Sequence, residues 1–165
     1  MAKNQNKKST VFEDFSDARK HTCELLNETS RHIHLFSQSL TPALFAKREV
    51  VTAFSEAARR SRQSRIRILV VEPRPLYGKD IPLIHLAQRL PTRVEVRVYV
   101  EGAQRTDLSY VCIDRAHHLL LSDEALCHGA VHWDSPAQTS ALLEDFEHIW
   151  HSGSRPDDNF KRLNL

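Results

Sequence analysis

The chain has 165 residues, of which 41% are hydrophobic and 27% are charged, and its formal net charge at pH 7 is +2. This length predicts one domain with its own hydrophobic core, and this composition excludes wholesale disorder. The net charge is too small to indicate nucleic-acid binding by itself, and no apolar run approaches the roughly 18 residues of a membrane span.

The N-terminus and the cysteines indicate the cellular compartment. Residues 1–14 begin with a polar, weakly basic stretch that lacks the apolar core of a secretory signal, and we expect a flexible arm there. Cys23, Cys112 and Cys127 are odd in number and widely spaced, which is typical of a reducing compartment rather than of a disulfide framework. We therefore expect a cytoplasmic protein.

Helix and strand patterns alternate along the first half of the chain. Apolar residues at helical spacing predict a first helix over 15–29, and a short apolar run predicts a strand over 32–36. Thr41-Pro42 is typical of a helix start and predicts a second helix that ends in the basic run 59–62. The nearly continuous aliphatic run 66–71 predicts a strand that is covered on both faces.

The second half continues this alternation. A shorter helix is predicted to begin at 80–82, and alternating valines predict a strand over 94–100. Apolar runs at 110–113 and 118–121 flank a compact turn and predict a hairpin, and Ser135-Pro136 predicts the start of a last helix. The order α-β-α-β-α-β-ββ-α predicts one α/β domain over 15–152, with a mixed sheet sandwiched between helices, and a tail over 153–165.

The segment 107–122 resembles the second half of a phospholipase D superfamily signature, H-x-K-x4-D-x6-G-S. Aligned on Asp114, the signature's His falls on Asp107, its Lys on Ser109 and its Gly-Ser on Leu121-Ser122. The last predicted helix carries Leu, Phe and Trp in a pattern similar to that of superfamily members. More narrowly, the chain resembles short bacterial phospholipase-D-like proteins of unassigned function, in the segments 37–42, 86–91 and 157–165.

The resemblance implies one phospholipase-D-like half. In active members two signatures face each other, with one His attacking phosphorus and the other protonating the leaving group, so it also implies a homodimer or a lone binding domain. Asp107 would repel a substrate phosphate, and Ser109 offers a hydroxyl where the charged amine should be. Losing such an electrostatic clamp costs about 10²–10³ in rate, before the missing nucleophile is counted. We therefore expect no catalytic residue and no standard phosphodiesterase chemistry.

A remnant pocket is the first candidate site. Ser37 and Ser39 follow a predicted strand, and ligands of open α/β sheets favour the carboxyl ends of strands. We predict that this pocket is lined by Ser37, Ser39, Asp107, Ser109, Asp114 and Ser122. Two alternatives remain at these positions: Asp114 caps a tight turn, and the two early serines form a helix entry before Pro42.

An arginine ridge is the second candidate site. Its members straddle a predicted helix end, where cations complement the helix dipole, and this structural role explains them. The alternative is a ridge that contacts phosphates, which would be independent of base sequence and sensitive to salt. Aromatic interleaving is too poor to favour stacking of single-stranded bases. The ridge consists of Arg59, Arg60, Arg62, Arg65 and Arg67, extended by Arg74, Lys79, Arg89, Arg93 and Arg97 if they share its surface.

The chain contains ten histidines, which raises the question of a metal site. Zinc favours thiolate and imidazole ligands, and the candidates are Cys127, His128 and His132 with the pairs His117-His118 and His32-x-His34. Their spacing matches no tight pattern such as paired C-x2-C. We therefore expect neither a metal nor a cofactor, and we expect these histidines on solvent-facing strands and loops.

These observations predict a non-catalytic phospholipase-D-like binding or accessory domain, acting as a homodimer, whose partner is a phosphate-containing ligand or nucleic acid. A protein-interaction module is the first alternative. A divergent phosphodiesterase that uses His117 or His118 is the second. The tail 160–165 interleaves apolar and basic residues, and we expect it to dock on its own domain or on a dimer mate.

Overall fold

The computed structural model describes residues 9–29, 31–100, 102 and 106–161. Within them, no helix is both long and apolar enough to cross a membrane. The helices are α1 (Phe15–Asn27), α2 (Pro42–Phe45), α3 (Arg48–Arg59), α4 (Pro82–Arg89) and α5 (Pro136–Ser152). The strands are β1 (Ser9–Phe12), β2 (His32–Ser37), β3 (Arg65–Val70), β4 (Val94–Tyr99), β5 (Ser109–Ile113), β6 (His117–Asp123), β7 (His128–His132) and β8 (Ser154–Arg155).

The strands form one mixed sheet in the order β1-β7-β6-β5-β2-β3-β4-β8. Strands β2, β3 and β4 are parallel because helices return the chain between them, and the other pairs are antiparallel. The carboxyl ends of the parallel strands therefore lie beside the start of β5, and we call this side of the sheet the carboxyl edge. Their amino ends lie beside the β5–β6 turn, and we call this opposite side the amino edge.

Helices cover both faces of this sheet. On one face, side chains such as Leu35 and Val111 pack with α1, α2, α3 and α4 in the larger core. On the other face, Phe36 and Tyr110 pack with Trp150 and its neighbours on α5 in a smaller core. The predicted α/β class, with a mixed sheet sandwiched between helices, is confirmed.

Several elements differ from the sequence prediction. The predicted second helix is two helices, α2 and α3, and the Thr41 hydroxyl makes no cap but donates to Glu124 at 2.7 Å. Strand β7 carries little apolar pattern and is ordered by its pairing with β6 and β1. Residues 9–12, assigned to the N-terminal arm, form β1 because Phe12 is buried in the larger core. Residues 1–8 lie outside the described part of the chain.

The first part of the C-terminal tail docks on its own domain. Arg155 pairs with Val98 in β4, which makes β8 an edge strand. Phe160 is buried beside Tyr77, with 5.5 Å between the ring centroids, and its carbonyl accepts a hydrogen bond from Gln88 Nε2 at 2.9 Å. The docking prediction is thus confirmed for Phe160, whereas residues 162–165 lie outside the described chain.

Candidate functional site

The carboxyl end of β2 surrounds a buried carboxylate. Glu124 is 5% exposed, and its Oε1 accepts from the Ser37 hydroxyl at 2.5 Å. Its Oε2 accepts from the hydroxyls of Ser39 (3.1 Å) and Thr41 (2.7 Å) and from their backbone N–H groups (3.2 and 3.3 Å). We call Ser37, Ser39, Thr41 and Glu124 the Glu124 cluster. Five donors therefore converge on one carboxylate of the chain itself.

The start of β5 is joined to this cluster by Gln38. The buried Ser109 hydroxyl accepts a hydrogen bond from the Gln38 N–H at 3.1 Å. The Gln38 side-chain amide donates to the carbonyls of Thr106 and Leu108 at 3.0 and 2.9 Å. Ser109 thus serves as an acceptor for backbone, at the position where the resemblance expects a positively charged lysine.

The structure brings together only part of the predicted remnant pocket. Ser37, Ser39 and Ser109 lie at one edge, and the exposed Asp107 stands two residues before Ser109. Ser122 is exposed, and its hydroxyl donates to the carbonyl of His128 at 3.2 Å.

Asp114 lies away from this pocket, at the opposite end of β5. Its φ is 51°, and its Oδ1 accepts from the N–H groups of Arg31 and His32 at 3.0 and 2.9 Å. It therefore caps backbone N–H groups, as the turn-capping alternative predicts. These groups belong to the start of β2, however, and not to the turn of Asp114 itself.

The chemistry of the Glu124 cluster is that of a filled anion cradle. Hydroxyl and backbone N–H donors of this kind would suit a phosphate, but the Glu124 carboxylate already accepts from them. Sequence reasoning missed Glu124, and the signal that pointed to it was its position two residues after Ser122, just past the Gly-Ser place of the signature. The edge that the resemblance assigns to catalysis is closed by negative charge.

Arginines gather at the opposite edge of the sheet. Arg31, Arg65 and Arg93 stand at the starts of β2, β3 and β4, since Arg65 N donates to Arg31 O at 2.8 Å and Ile66 N to Arg93 O at 2.7 Å. Arg115 lies in the β5–β6 turn, beside the start of β2, because Asp114 N donates to His32 O at 2.8 Å. We call the following set the arginine end: Arg31, Arg59, Arg60, Arg62, Arg65, Arg93 and Arg115.

Several of these arginines also stabilise the fold. Arg60 Nη1 donates to the carbonyls of Leu26 and Thr29, and Arg93 Nη1 donates to that of Ala58. These carbonyls end α1 and α3, so cations there complement the helix dipoles, as the structural alternative predicts. A guanidinium has five N–H donors, and these bonds use only one nitrogen of each, so most donor capacity stays available. Among the described residues, no ion pair engages any member of the arginine end.

The rest of the predicted ridge lies elsewhere. Arg67 projects towards α5, where its guanidinium contacts Glu147 at 3.0 Å and lies 5.3 Å from the Trp150 ring. Arg97 lies on the same face, 4.6 Å from that ring. Arg74 follows β3 at the carboxyl edge with Lys79 beyond it, and Arg89 ends α4. The sequence run 59–67 is therefore divided, because Arg67 lies within β3 and contacts α5, whereas Arg65 is the first residue of β3 and the other three arginines precede it.

A cleft of about 420 Å³ opens between the arginine end and α5. We call it the histidine cleft; it is lined by His32, His34, Asp114, Arg115, Leu143, Glu144 and Glu147. Burial lowers the pKa of His34 to about 4, so its ring is neutral at pH 7. Its Nε2 lies 3.4 Å from Glu147, and its buried Nδ1 has no hydrogen-bond partner among the described residues.

The candidate zinc ligands do not form a metal site in the described part of the chain, where no group of three or more His, Cys, Asp or Glu could hold an ion. Burial raises the pKa of Cys127 to about 11, which disfavours the thiolate that zinc requires. His132 stacks on His118 with centroids 4.7 Å apart, and burial lowers the pKa of His118 to about 4. His117 accepts a hydrogen bond from the Asp134 N–H at 2.9 Å.

These features define a phospholipase-D-like α/β fold, and solved structures share it. NucT from Helicobacter pylori superposes with a TM-score of 0.65 at 13% identity, over 88% of this chain and 97% of that one. Phosphatidylserine synthase from Haemophilus influenzae superposes with a TM-score of 0.63 at 14% identity, over 95% of this chain and 41% of that one.

A third solved structure is TrmBL2, an archaeal chromatin protein described with a novel mode of DNA binding. It superposes with a TM-score of 0.61 at 17% identity, over 93% of this chain, which spans about half (55%) of the TrmBL2 chain. By sequence, residues 14–163 match the family described as "Domain of unknown function (DUF7931)", and the chain belongs to that family. No curated protein matches the sequence.

Proposed function

We propose that the chain is a non-catalytic phospholipase-D-like domain that binds nucleic acid through the arginine end. The first support comes from the other edge of the sheet. There the Glu124 carboxylate occupies the donors that would hold a phosphate, and Asp107 and Ser109 supply neither nucleophile nor cation. A phosphate-containing ligand therefore needs another surface.

The main support for the proposal is that four arginines lie in a row along the amino edge. Arg115, Arg31, Arg65 and Arg93 come from successive strand starts or turns in the order β5, β2, β3, β4. Neighbouring strands are about 4.8 Å apart, so the row extends over roughly 15 Å. A row of cations of this length can contact several phosphates of one backbone, and such contacts supply most of sequence-independent nucleic-acid affinity.

The fold comparison supports the same class of ligand. TrmBL2, whose chain includes a region of this fold, is described as binding DNA. The expected homodimer belongs to this proposal as well, because a second copy would double the number of arginine ends on one particle and raise the affinity for a long polyanion. The expected cytoplasmic location would give the domain access to nucleic acid.

The test is fluorescence anisotropy with labelled 20-nucleotide DNA and RNA, single-stranded and duplex, in about 50 and 200 mM salt. The variant is the triple charge reversal Arg31→Glu, Arg62→Glu and Arg115→Glu, in which all three side chains are exposed. We expect it to weaken binding at least tenfold at the lower salt concentration. We also expect it to reduce the slope of log K against log salt by up to about 3 for duplex DNA and up to about 2 for single strands, because each phosphate contact contributes about 0.9 and about 0.7 respectively.

The matched control reverses three exposed cations outside the arginine end, Lys20→Glu, Arg48→Glu and Lys79→Glu. Both triples change the net charge equally, so a specific surface predicts a much smaller loss for the control. Equal losses would show that only net charge matters. Absence of binding at 50 mM salt would contradict the proposal outright.

A further inference from the structure

We infer that the histidine cleft receives one base of a single-stranded nucleic acid whose phosphates lie on the arginine end. This inference rests on the proposed function and names its ligand more narrowly. Arg115 belongs to both places, since it lies in the row of arginines and lines the cleft. A strand bound along the row therefore passes the mouth of the cleft.

The charges inside the cleft disfavour a phosphate as its occupant, because carboxylates outnumber the single guanidinium of Arg115 in the wall. Glu144, Glu147 and Asp114 place three carboxylates in its wall, and a phosphate there would meet like charge. A neutral, flat group with hydrogen-bond donors meets no such penalty. A nucleobase is the part of a nucleic acid with that character, and a duplex would keep its bases out of reach.

The imidazoles supply the ring surfaces that the sequence pattern did not show. His32 is exposed at the cleft, and its ring centroid lies 6.5 Å from that of His34. Imidazole rings and the guanidinium plane of arginine are surfaces on which unpaired bases stack. The His34 ring is held in place by its edge-on contact with Phe146, with 5.0 Å between centroids. The cleft thus has one exposed ring and one fixed ring.

The acceptors in the cleft favour bases that carry an amino group. Glu147 is engaged by Arg67, by His34 and by His151, whose Nε2 lies 3.0 Å from Glu147 Oε2. Glu144 makes no hydrogen bond or ion pair with any described residue, so its carboxylate is available to a ligand. Carboxylates accept from the exocyclic N4 amino group of cytosine, and adenine offers its N6 amino group in the same way. Thymine alone among the DNA bases has no exocyclic amino group, so we infer a preference for cytosine, adenine and guanine over thymine.

The experiment measures the affinity of the full chain for labelled 12-nucleotide DNA strands at pH 7.5 and about 50 mM salt. The strands are oligo-dC, oligo-dA, oligo-dT and an abasic strand with the same number of phosphates. We expect oligo-dC and oligo-dA to bind about fivefold tighter than oligo-dT, and the abasic strand to bind most weakly. Duplex DNA of equal length is expected to bind no tighter than oligo-dT.

Two substitutions assign the preference to the cleft. Glu144→Gln is expected to reduce the difference between oligo-dC and oligo-dT, because the amide oxygen accepts without a charge and the amide NH₂ can donate to thymine O4. The affinity for the abasic strand is expected to change less than twofold. Asp145→Asn is the matched control, because it removes the same charge from the next position on α5, outside the cleft, and it should leave the preference intact. His32→Ala is expected to weaken all strands that have bases and to spare the abasic one.

The two proposals fail in different ways. If all strands bind equally, or if duplex binds best, the cleft inference is wrong and the arginine end alone accounts for binding. If Glu144→Gln and Asp145→Asn act alike, the preference arises from general charge and the cleft inference is also wrong. If no strand binds at 50 mM salt, the proposed function fails and the cleft inference falls with it.

Discussion

The two edges of the sheet treat charge in opposite ways. At the carboxyl edge, hydroxyl and N–H donors converge on Glu124, which is almost completely buried. At the amino edge, the arginine end presents guanidinium groups that no ion pair among the described residues engages. The fold alone would place a ligand at the first edge, whereas the side chains favour the second. We therefore infer that the side chains at an edge, and not the fold that provides the edge, decide where a ligand binds.

Removal of the Glu124 carboxylate is the strongest test of this contrast. In Glu124→Ala the five donors of the Glu124 cluster lose their acceptor, and each buried unsatisfied polar group costs about 1–3 kcal/mol. Because some donors can turn to water, we expect the free energy of unfolding to fall by about 4 kcal/mol. Urea denaturation measures this loss. Added phosphate should restore part of it, since the emptied cradle can accept an anion.

Ser122→Ala is the control for that measurement, because the Ser122 hydroxyl is exposed and makes one bond to a carbonyl. Its expected cost is within about 0.5 kcal/mol. A loss below about 1 kcal/mol in Glu124→Ala would show that the cluster is weakly bonded. If the same variant changed oligonucleotide affinity while still folded, the two edges would not be independent.

We expect the free energy of unfolding to fall in acid because of His34, which lines the histidine cleft beside the arginine end. Burial lowers its pKa from 6.5 to about 4. Between pH 6.5 and about 4, residue 34 is protonated in the unfolded chain and neutral in the folded one. The contribution of the neutral, buried ring to the free energy of unfolding is therefore complete above pH 6.5 and is lost as the pH falls towards 4. The loss is about 3 kcal/mol for a shift of this size. Unfolding measured across this pH range detects it.

His34→Phe isolates that contribution, because phenylalanine keeps the ring contact with Phe146 and cannot be protonated. We expect the variant's stability to depend less on pH than that of the wild type. His118, whose pKa burial also lowers to about 4, keeps its own share of the dependence in both proteins. Identical pH profiles would show that His34 is not buried as a neutral ring.

The smallest expected effect comes from restoring the missing nucleophile alone. Asp107 is exposed, so Asp107→His should change the free energy of unfolding by less than about 0.5 kcal/mol. It should produce no hydrolysis of bis-nitrophenyl phosphate, because Ser109 is buried, uncharged and bonded to the Gln38 N–H. Turnover above that of the wild type would show that the carboxyl edge still admits a phosphodiester.

Local pattern was sufficient for much of the fold. Apolar periodicity and a proline at the first turn predicted α5, and two apolar runs around Asp114 predicted the β5–β6 hairpin. Strand β7 escaped prediction because Gly129, Ala130 and its histidines carry no strand pattern, and only its pairing with β6 and β1 orders it. Because this strand was not predicted, His128 and His132 were considered as zinc ligands, although they lie in β7.

The candidate sites were harder to predict than the fold because their parts are distant in the chain. Glu124 is separated by 87 residues from Ser37 and by 83 from Thr41, so no local pattern joins them. The arginine ridge was predicted from adjacency in sequence. In the structure the arginines from Arg59 to Arg65 do lie together, and Arg31 and Arg115 lie beside them. Arg67 lies apart from them and contacts α5.

The amino-acid sequence by itself determined the α/β class and the absence of His and Lys at positions 107 and 109, because hydrophobic periodicity and residue identity are local properties. The tertiary structure alone decided that Glu124 closes the carboxyl edge and that arginines from separate segments form one row. Strand order is the physical reason. It places the starts of β2, β3 and β4 side by side, and it brings the end of β6 next to the segment that follows β2.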